Sequence, residues 1–287
     1  MSEPPAILEP VTVDKPWGRE VWYSGVEERG ESRVQTESGI EPLSCYLASR
    51  GRTDPVVLLK ALEPVRGNLY LEVHETKSEV YVVDRVDQAP GRMLLGACPG
   101  RREALGDDGY RAALLGAARQ AESGATDLAP VQAFMNRVEL RPGDVVPIPP
   151  RIPHSLLQGV HVIEFQTPAF ERKILAASQP VVTQHGWDSA AAAAIIDLSG
   201  SPEVVPRGQP AKQIFDMPGF SVTRLCLDAD STFAVPRWTV GWVVDGGVRG
   251  GDREFPPRSA FLAPEATTLR ACGKAEVLLG GDSSVES

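Results

Sequence analysis

The sequence is poor in the residues that carry most redox and metal chemistry. Its 287 residues include only four histidines and four cysteines. The cysteines (Cys45, Cys98, Cys226 and Cys272) are scattered and form no C-x-x-C pair. A reduced cytoplasmic protein with buried thiols is therefore expected. Positive charge is also short: 29 Lys and Arg face 38 Asp and Glu, a formal net charge of -9. Nucleic acid and anionic membrane are therefore excluded as main partners. No apolar run is long enough to span a bilayer. The opening "MSEPPAILEP" has neither the basic start nor the apolar centre of a signal peptide. Residues 211–287 contain no histidine at all.

What is present is an ordinary globular composition, 42% apolar and 23% charged, in a chain long enough for one large or two small domains. Most of it reads as short strands between Pro and Gly turns. Residues 55–62, 68–73, 80–84, 136–140, 144–149 and 160–166 are rich in Val, Leu and Ile. This spacing suggests an antiparallel sandwich or barrel. An Ala-rich stretch at 110–135 predicts a helical insertion, near 101–136, with Thr126 as cap of a second short helix. Residues 187–197 predict a helix capped by Asp188. "LSGSPEVVPRGQP" (198–210) reads as a linker. The expected division is thus 1–198 and 199–287.

One stretch breaks the strand pattern. "EVHETKSE" (72–79) places four charged groups and a histidine between two apolar runs. Side chains alternate along a strand, so Glu72 and His74 share a face. Glu79 has the other parity, and joins them if Glu75-Thr76-Lys77-Ser78 turns the chain back. A carboxylate, an imidazole and a second carboxylate then form a divalent-metal shell lacking one ligand. "GDVVPIPPRIPH" (143–154) supplies the candidate, a strand and Pro-rich turn presenting His154. Of the other histidines, His161 lies within a strand and suits a packed or surface position, and His185 lies in a polar loop.

The pattern E-x-H-x4-E resembles the first metal motif of the cupins, where H-x-H-x4-E is usual. Residues 143–154 have the spacing of the second, G-x5-P-x-G-x2-H, with Arg151 where glycine is usual. "KPWG" (15–18), "LLKALEP" (58–64), "EVHETKSEVYVV" (72–83) and "LRPGDVVPIPPRIPHSLLQGVHVIEFQ" (140–166) together resemble type I mannose-6-phosphate isomerase, over about residues 8–175. The resemblance implies a mostly β protein: a cupin (double-stranded β-helix, or jelly-roll) barrel with a helical insertion. A second, smaller β-sandwich or cupin-like domain without metal ligands would follow. It implies metal ligands at Glu72, His74, Glu79 and His154, and active-site roles for Lys60, Lys77 and Arg172. Two departures stand out. The family's long loop between its first histidine motif and its K-T-E segment is missing, and "FQTPAFER" after Glu164 is short, without the usual Ser-Asp pair.

Two carboxylates and two imidazoles suit a divalent ion. Zinc is the first choice, with manganese, iron and nickel also compatible. Lys60 sits mid-strand with Leu58 and Leu62 on its face, a costly place for a lysine that does no work. Lys77 lies in a polar turn, where only the motif raises it above a solvated lysine. Arg172 has the planar fork that suits a sugar phosphate. Glu164 and Gln166 share a strand face and either line the pocket or meet solvent. Trp17 suits a core anchor as well as a pocket wall. The expected function is a cytoplasmic, metal-dependent aldose–ketose isomerase of mannose 6-phosphate and fructose 6-phosphate, or of a related sugar phosphate. The alternatives are a non-catalytic sugar-binding or regulatory cupin, and another cupin metalloenzyme such as an oxygenase. The expected partner is a small-molecule sugar phosphate; the sequence leaves the oligomeric state open.

Overall fold

The computed structural model describes residues 4–27, 30–182, 184–200, 202–208 and 211–282. Two antiparallel sheets face each other at the centre. One has six strands, in the order Val145–Ile148, Glu79–Val86, Val160–Gln166, Leu58–Glu63, Gly18–Trp22 and Val11–Lys15. The other has five: Met135–Leu140, Gly91–Ala97, His154–Leu156, Leu71–Val73 and Lys173–Ala176. Between them pack Leu62, Tyr81, Val83, Met93, Leu156 and Val162 among others. This is the cupin-like β fold that the motifs imply.

The six-stranded sheet is covered on both faces, which is why its strands read as nearly continuous apolar runs. Leu59, Ala61, Val80, Val82, Ile163 and Phe165 point away from the five-stranded sheet. They meet Leu8, Val34, Val222, Val240, Trp242 and Leu278 of a third, eight-stranded sheet. The approach is close: a Cβ on Gly280 would lie 2.6 Å from Phe165 and 2.9 Å from Val57. Phe165 is fully buried there, and truncation to alanine would cost about 3–5 kcal/mol.

The eight-stranded sheet runs Lys212–Met217, Phe220–Leu227, Ala275–Gly281, Thr239–Asp245, Ala260–Ala263, Ala6–Glu9, Arg33–Thr36 and Gly39–Pro42. The residues beyond 199 thus complete their sheet with three strands from the first 42 residues. Behind it lies a four-stranded sheet, Thr232–Val235, Thr267–Ala271, Val248–Gly250 and Arg253–Phe255. Arg224, fully buried, ties this half to the metal motif. It donates to Glu276 at 2.8 Å and to the Gly143 carbonyl at 2.7 Å.

The helical insertion covers the outer face of the five-stranded sheet. Tyr110, Leu114 and Ala118 of the helix Pro99–Glu122, and Ala192 of Ser189–Ile195, pack on Leu71, Val73, Leu94 and Leu175. Three local expectations are corrected. Thr126 caps nothing: the short helix is Ala129–Gln132, and Asp127 takes the Ala129 N–H at 2.9 Å. Asp188 holds the N-cap position, but its carboxylate accepts from Ile174 N at 3.0 Å and Gln184 Nε2 at 2.6 Å rather than from the helix. The thiols are not buried: Cys45, Cys226 and Cys272 are exposed and Cys98 is half-buried. Cys45 and Cys226 lie on the outward faces of a helix and a strand, and Cys272 follows a strand end. In the 198–210 stretch, Val205 bridges Val145 and Arg207 pairs with Glu276 at 2.6 Å.

Candidate metal centre

Residues 72–79 cross from one central sheet to the other. Glu72 stands opposite His154 in the five-stranded sheet. The chain bends at Glu75 and Thr76 and re-enters at Glu79, which stands opposite Ile148 and Gln166 in the six-stranded sheet. The acidic ligand candidates therefore converge from facing sheets, not from neighbouring strands of one sheet. One donor atom from each of Glu72, His74, Glu79 and His154 lies within 4.8 Å of all the others.

The two imidazoles are held in the tautomer a metal needs. His74 Nδ1 donates to the Glu171 carbonyl at 2.7 Å and His154 Nδ1 to the Ile152 carbonyl at 2.9 Å. Each Nε2 is then left as a lone pair aimed inward. His154 Nε2 lies 3.0 Å from Glu79 Oε2, and His74 Nε2 lies 3.3 Å from Glu79 Oε1. These are acceptors facing acceptors. Among the described residues, His74 Nε2, His154 Nε2 and Glu79 Oε2 are buried without a hydrogen bond of proper geometry. Such a cluster is costly unless a cation sits within it. The electrostatics agree. Burial opposes protonation of His154, yet Glu79 outweighs it and raises the imidazole's proton affinity. Burial likewise opposes ionisation of Glu79, but Lys77 and the two histidines hold its carboxyl well below the usual range. The four residues fit a divalent ion.

Arg151 shows how the second motif tolerates its missing glycine. Its φ is 70°, in the left-handed region, at a cost of roughly 1 kcal/mol for a side-chain-bearing residue. Its N–H donates to the His74 carbonyl at 2.6 Å, and its Nε to the Ile195 carbonyl at 2.8 Å, which offset that cost.

A cavity of about 280 Å³ opens beside the cluster, lined by Lys60, Glu72, Lys77, Glu79, Glu164, Gln166 and Arg172 among others. It arises because inward-facing positions change character along each strand: Val162 is followed by Glu164 and Gln166, Val83 is preceded by Tyr81 and Glu79, and Leu62 by Lys60. Lys60 is buried, with Nζ 2.6 Å from Gln166 Oε1, 3.7 Å from Glu164 Oε2 and 5.1 Å from the Trp22 ring centre. Lys77 Nζ lies 2.5 Å from Glu79 Oε1. Burial lowers its proton affinity, but Glu79, Glu164 and Glu72 raise it further, so it stays an ammonium. Burial pushes Glu164 up to about 8 against the pull of Lys60. Arg172 reaches to 3.9 Å from Glu72 and lies 5.1 Å from the Tyr70 ring centre.

Five of the expected site residues, Lys60, Glu72, Lys77, Glu79 and Arg172, line this cavity, and His74 and His154 join Glu72 and Glu79 in the cluster beside it. The remaining histidines do not: His161 packs between Arg85 at 3.0 Å and Asp87 at 3.1 Å, and His185 is exposed. Trp17 belongs to the core. Sequence reasoning missed Lys15, Glu20, Trp22, Tyr81 and Phe170, which also line the cavity. Lys15 pairs with Glu20 at 3.4 Å, and Glu20 accepts the Trp22 indole N–H at 2.7 Å. Lys15 opens the "KPWG" motif, so a signal was present; its side chain and its tryptophan's point to different places.

Facing sheets around two imidazoles and two carboxylates, backed by a second pair of sheets, give the chain a cupin-like β fold. More narrowly, the fold is that of the phosphomannose isomerases. Mannose 6-phosphate isomerase from Bacillus subtilis superposes with a TM-score of 0.76 at 15% identity, covering 97% of this chain and 99% of that one. A variant of phosphomannose isomerase from Salmonella typhimurium gives 0.71 at 14% identity, again covering 97% and 99%. No protein-family model and no curated protein matches the sequence.

Proposed function

We propose that the protein is a metal-dependent aldose–ketose isomerase acting on mannose 6-phosphate and fructose 6-phosphate, or on a closely related sugar phosphate. The observation that carries the reading is the trio of buried, unpartnered acceptor atoms on His74, His154 and Glu79 beside a cation-rich polar cavity. The shared fold with mannose 6-phosphate isomerase from Bacillus subtilis supports it.

Glu72, His74, Glu79 and His154 would hold the ion, with zinc the first choice. When bound, such an ion polarises the sugar carbonyl and stabilises the oxyanion that forms as C2 loses its proton. The chain's own groups do the rest. Aldose–ketose exchange moves a proton between C1 and C2, and a second between their oxygens, with no net redox change. Glu164, with its carboxyl held near neutrality, takes and returns the carbon-bound proton. Lys60 holds Glu164 in place across 3.7 Å. Lys77 remains charged and stabilises negative charge developing on the sugar oxygens. Arg172 at the cavity wall meets the phosphate dianion as a planar fork.

The test is a coupled assay for fructose 6-phosphate formed from mannose 6-phosphate, with chelator-stripped and zinc-reloaded protein. Turnover that returns with metal is expected. Saturable sugar-phosphate binding without turnover by the metal-loaded protein would refute the isomerase and favour the sugar-binding reading.

A further inference from the structure

The short segment Thr167–Arg172 joins a strand of the six-stranded sheet to one of the five-stranded sheet and closes one side of the cavity. Glu171 within it grips the metal motif at two points. Its main-chain carbonyl accepts His74 Nδ1–H at 2.7 Å. Its carboxylate oxygen Oε2 accepts the main-chain N–H of Glu75 at 2.7 Å and of Thr76 at 3.1 Å. Lys173 braces the arrangement from outside, 3.1 Å from Glu75 and 3.5 Å from Glu171 Oε1.

These contacts have different jobs. The bend at Glu75 and Thr76 leaves main-chain donors that no strand partner meets, and a carboxylate satisfies them as it would at a helix start. The carbonyl decides which ring nitrogen of His74 keeps its proton. Both acceptors belong to one residue. The carboxylate therefore fixes the distance between carbonyl and imidazole, and with it the direction of the Nε2 lone pair. We propose that Glu171 is the positioning residue of the metal centre: it locks the His74 tautomer and the following bend as one unit. The inference rests on the metal-centre reading above. It also gives the short segment a purpose, since Arg172 is the next residue, and one strap thereby sets a metal ligand and a pocket cation together.

The test uses full-length Glu171→Ala and Glu171→Gln proteins, stripped of metal and titrated with Co²⁺ against a competing chelator. Gln retains an oxygen able to accept both N–H groups, so affinity within about threefold of wild type is expected. Ala should bind ten- to hundredfold more weakly, the usual effect of losing support behind a ligand, with an altered visible Co²⁺ spectrum. In the metal-free proteins, ¹⁵N spectra of the His74 ring should show the Nδ1–H tautomer in wild type and Gln, and a mixture in Ala. If the Ala variant is unfolded, Glu171→Asp takes its place with the same direction of change. Equal affinity and identical ring spectra for wild type and Ala would overturn the proposal, as would a Gln variant as weak as Ala. A wild type that takes up no metal, but whose ring spectra still differ from those of Ala, would sink the metal-centre reading and leave the positioning of His74 standing.

Discussion

Replacing Lys77 with methionine separates the structural task of this lysine from its chemical one. Its Nζ lies 2.5 Å from Glu79 Oε1, and the two residues are 8% and 1% exposed. Methionine keeps the volume and removes the charge. In metal-free protein Glu79 is then a buried carboxylate facing two imidazole lone pairs. Removing one partner of a buried pair costs about 3–5 kcal/mol. The lower end applies here, because His154 can take up a proton and Lys77 itself is shared with Glu72 and Glu164. At about 2–4 °C per kcal/mol for a chain of this size, Tm should fall by roughly 6–12 °C. Metal reverses the logic, since a divalent ion supplies Glu79 with the cation it has lost. Calorimetry with chelator and with excess zinc should therefore show a wide gap between variant and wild type that narrows on loading. Turnover should not recover with stability, and a loss on the order of a hundredfold or more is expected in the loaded variant. A stripped variant melting within about 2 °C of wild type, at the scale above, would refute the reasoning. So would a gap that zinc leaves unchanged.

Arg172→Ala should lower kcat/KM for the phosphorylated sugar by about ten- to hundredfold, the worth of one charge-assisted contact, and affect the unphosphorylated analogue far less. Because Glu72 lies 3.9 Å away, metal content should be measured in the same samples; equal effects on the two sugars would place Arg172 away from the phosphate. For pH, burial raises Glu164 from 4.5 to about 8. A carboxyl raised in the folded state stabilises the fold fully below its unfolded pKa, and that contribution is lost as pH rises through the folded value. Metal-free wild type should accordingly lose stability between about pH 4.5 and 8, and Glu164→Gln should flatten that slope; parallel curves would count against it. Arg224→Met should cost about 3 kcal/mol in urea, since Glu276 keeps Arg207 as a second partner; a change below about 1 kcal/mol, the worth of a surface pair, would show the buried network to be dispensable.

The central sheets were legible because both of their faces are buried. Runs such as Val160–Gln166 and Glu79–Val86 are apolar enough to read as strands without any knowledge of their partners. The four ligand candidates were legible for the opposite reason: a charged side chain in such a strand is costly to bury unless it binds something. Glu20 was not, because its place in the cavity depends on Gly18–Trp22 pairing with Leu58–Glu63, a contact no local pattern encodes. Nor was Glu171, which reads as one more acidic residue in a loop until its carboxylate is seen to satisfy the N–H groups of residues 75 and 76. Thr126 misled because Thr and Asp are both capping residues and stand side by side, and the helix starts at Ala129, whose N–H meets Asp127.

The strand Ala6–Glu9 pairs with Ala260–Ala263 on one side and Arg33–Thr36 on the other. During synthesis it leaves the ribosome long before Ala260–Ala263, the partner it waits for. Its inward residues Ala6 and Leu8 stay uncovered meanwhile, the kind of long-range pairing that slows folding and invites chaperones. The two sheets around the metal motif face no such delay, because all their strands lie between residues 11 and 176. The four candidate ligands can therefore be brought together before the sheet that braces them exists. An ion bound there would link metal supply during translation to the yield of folded protein.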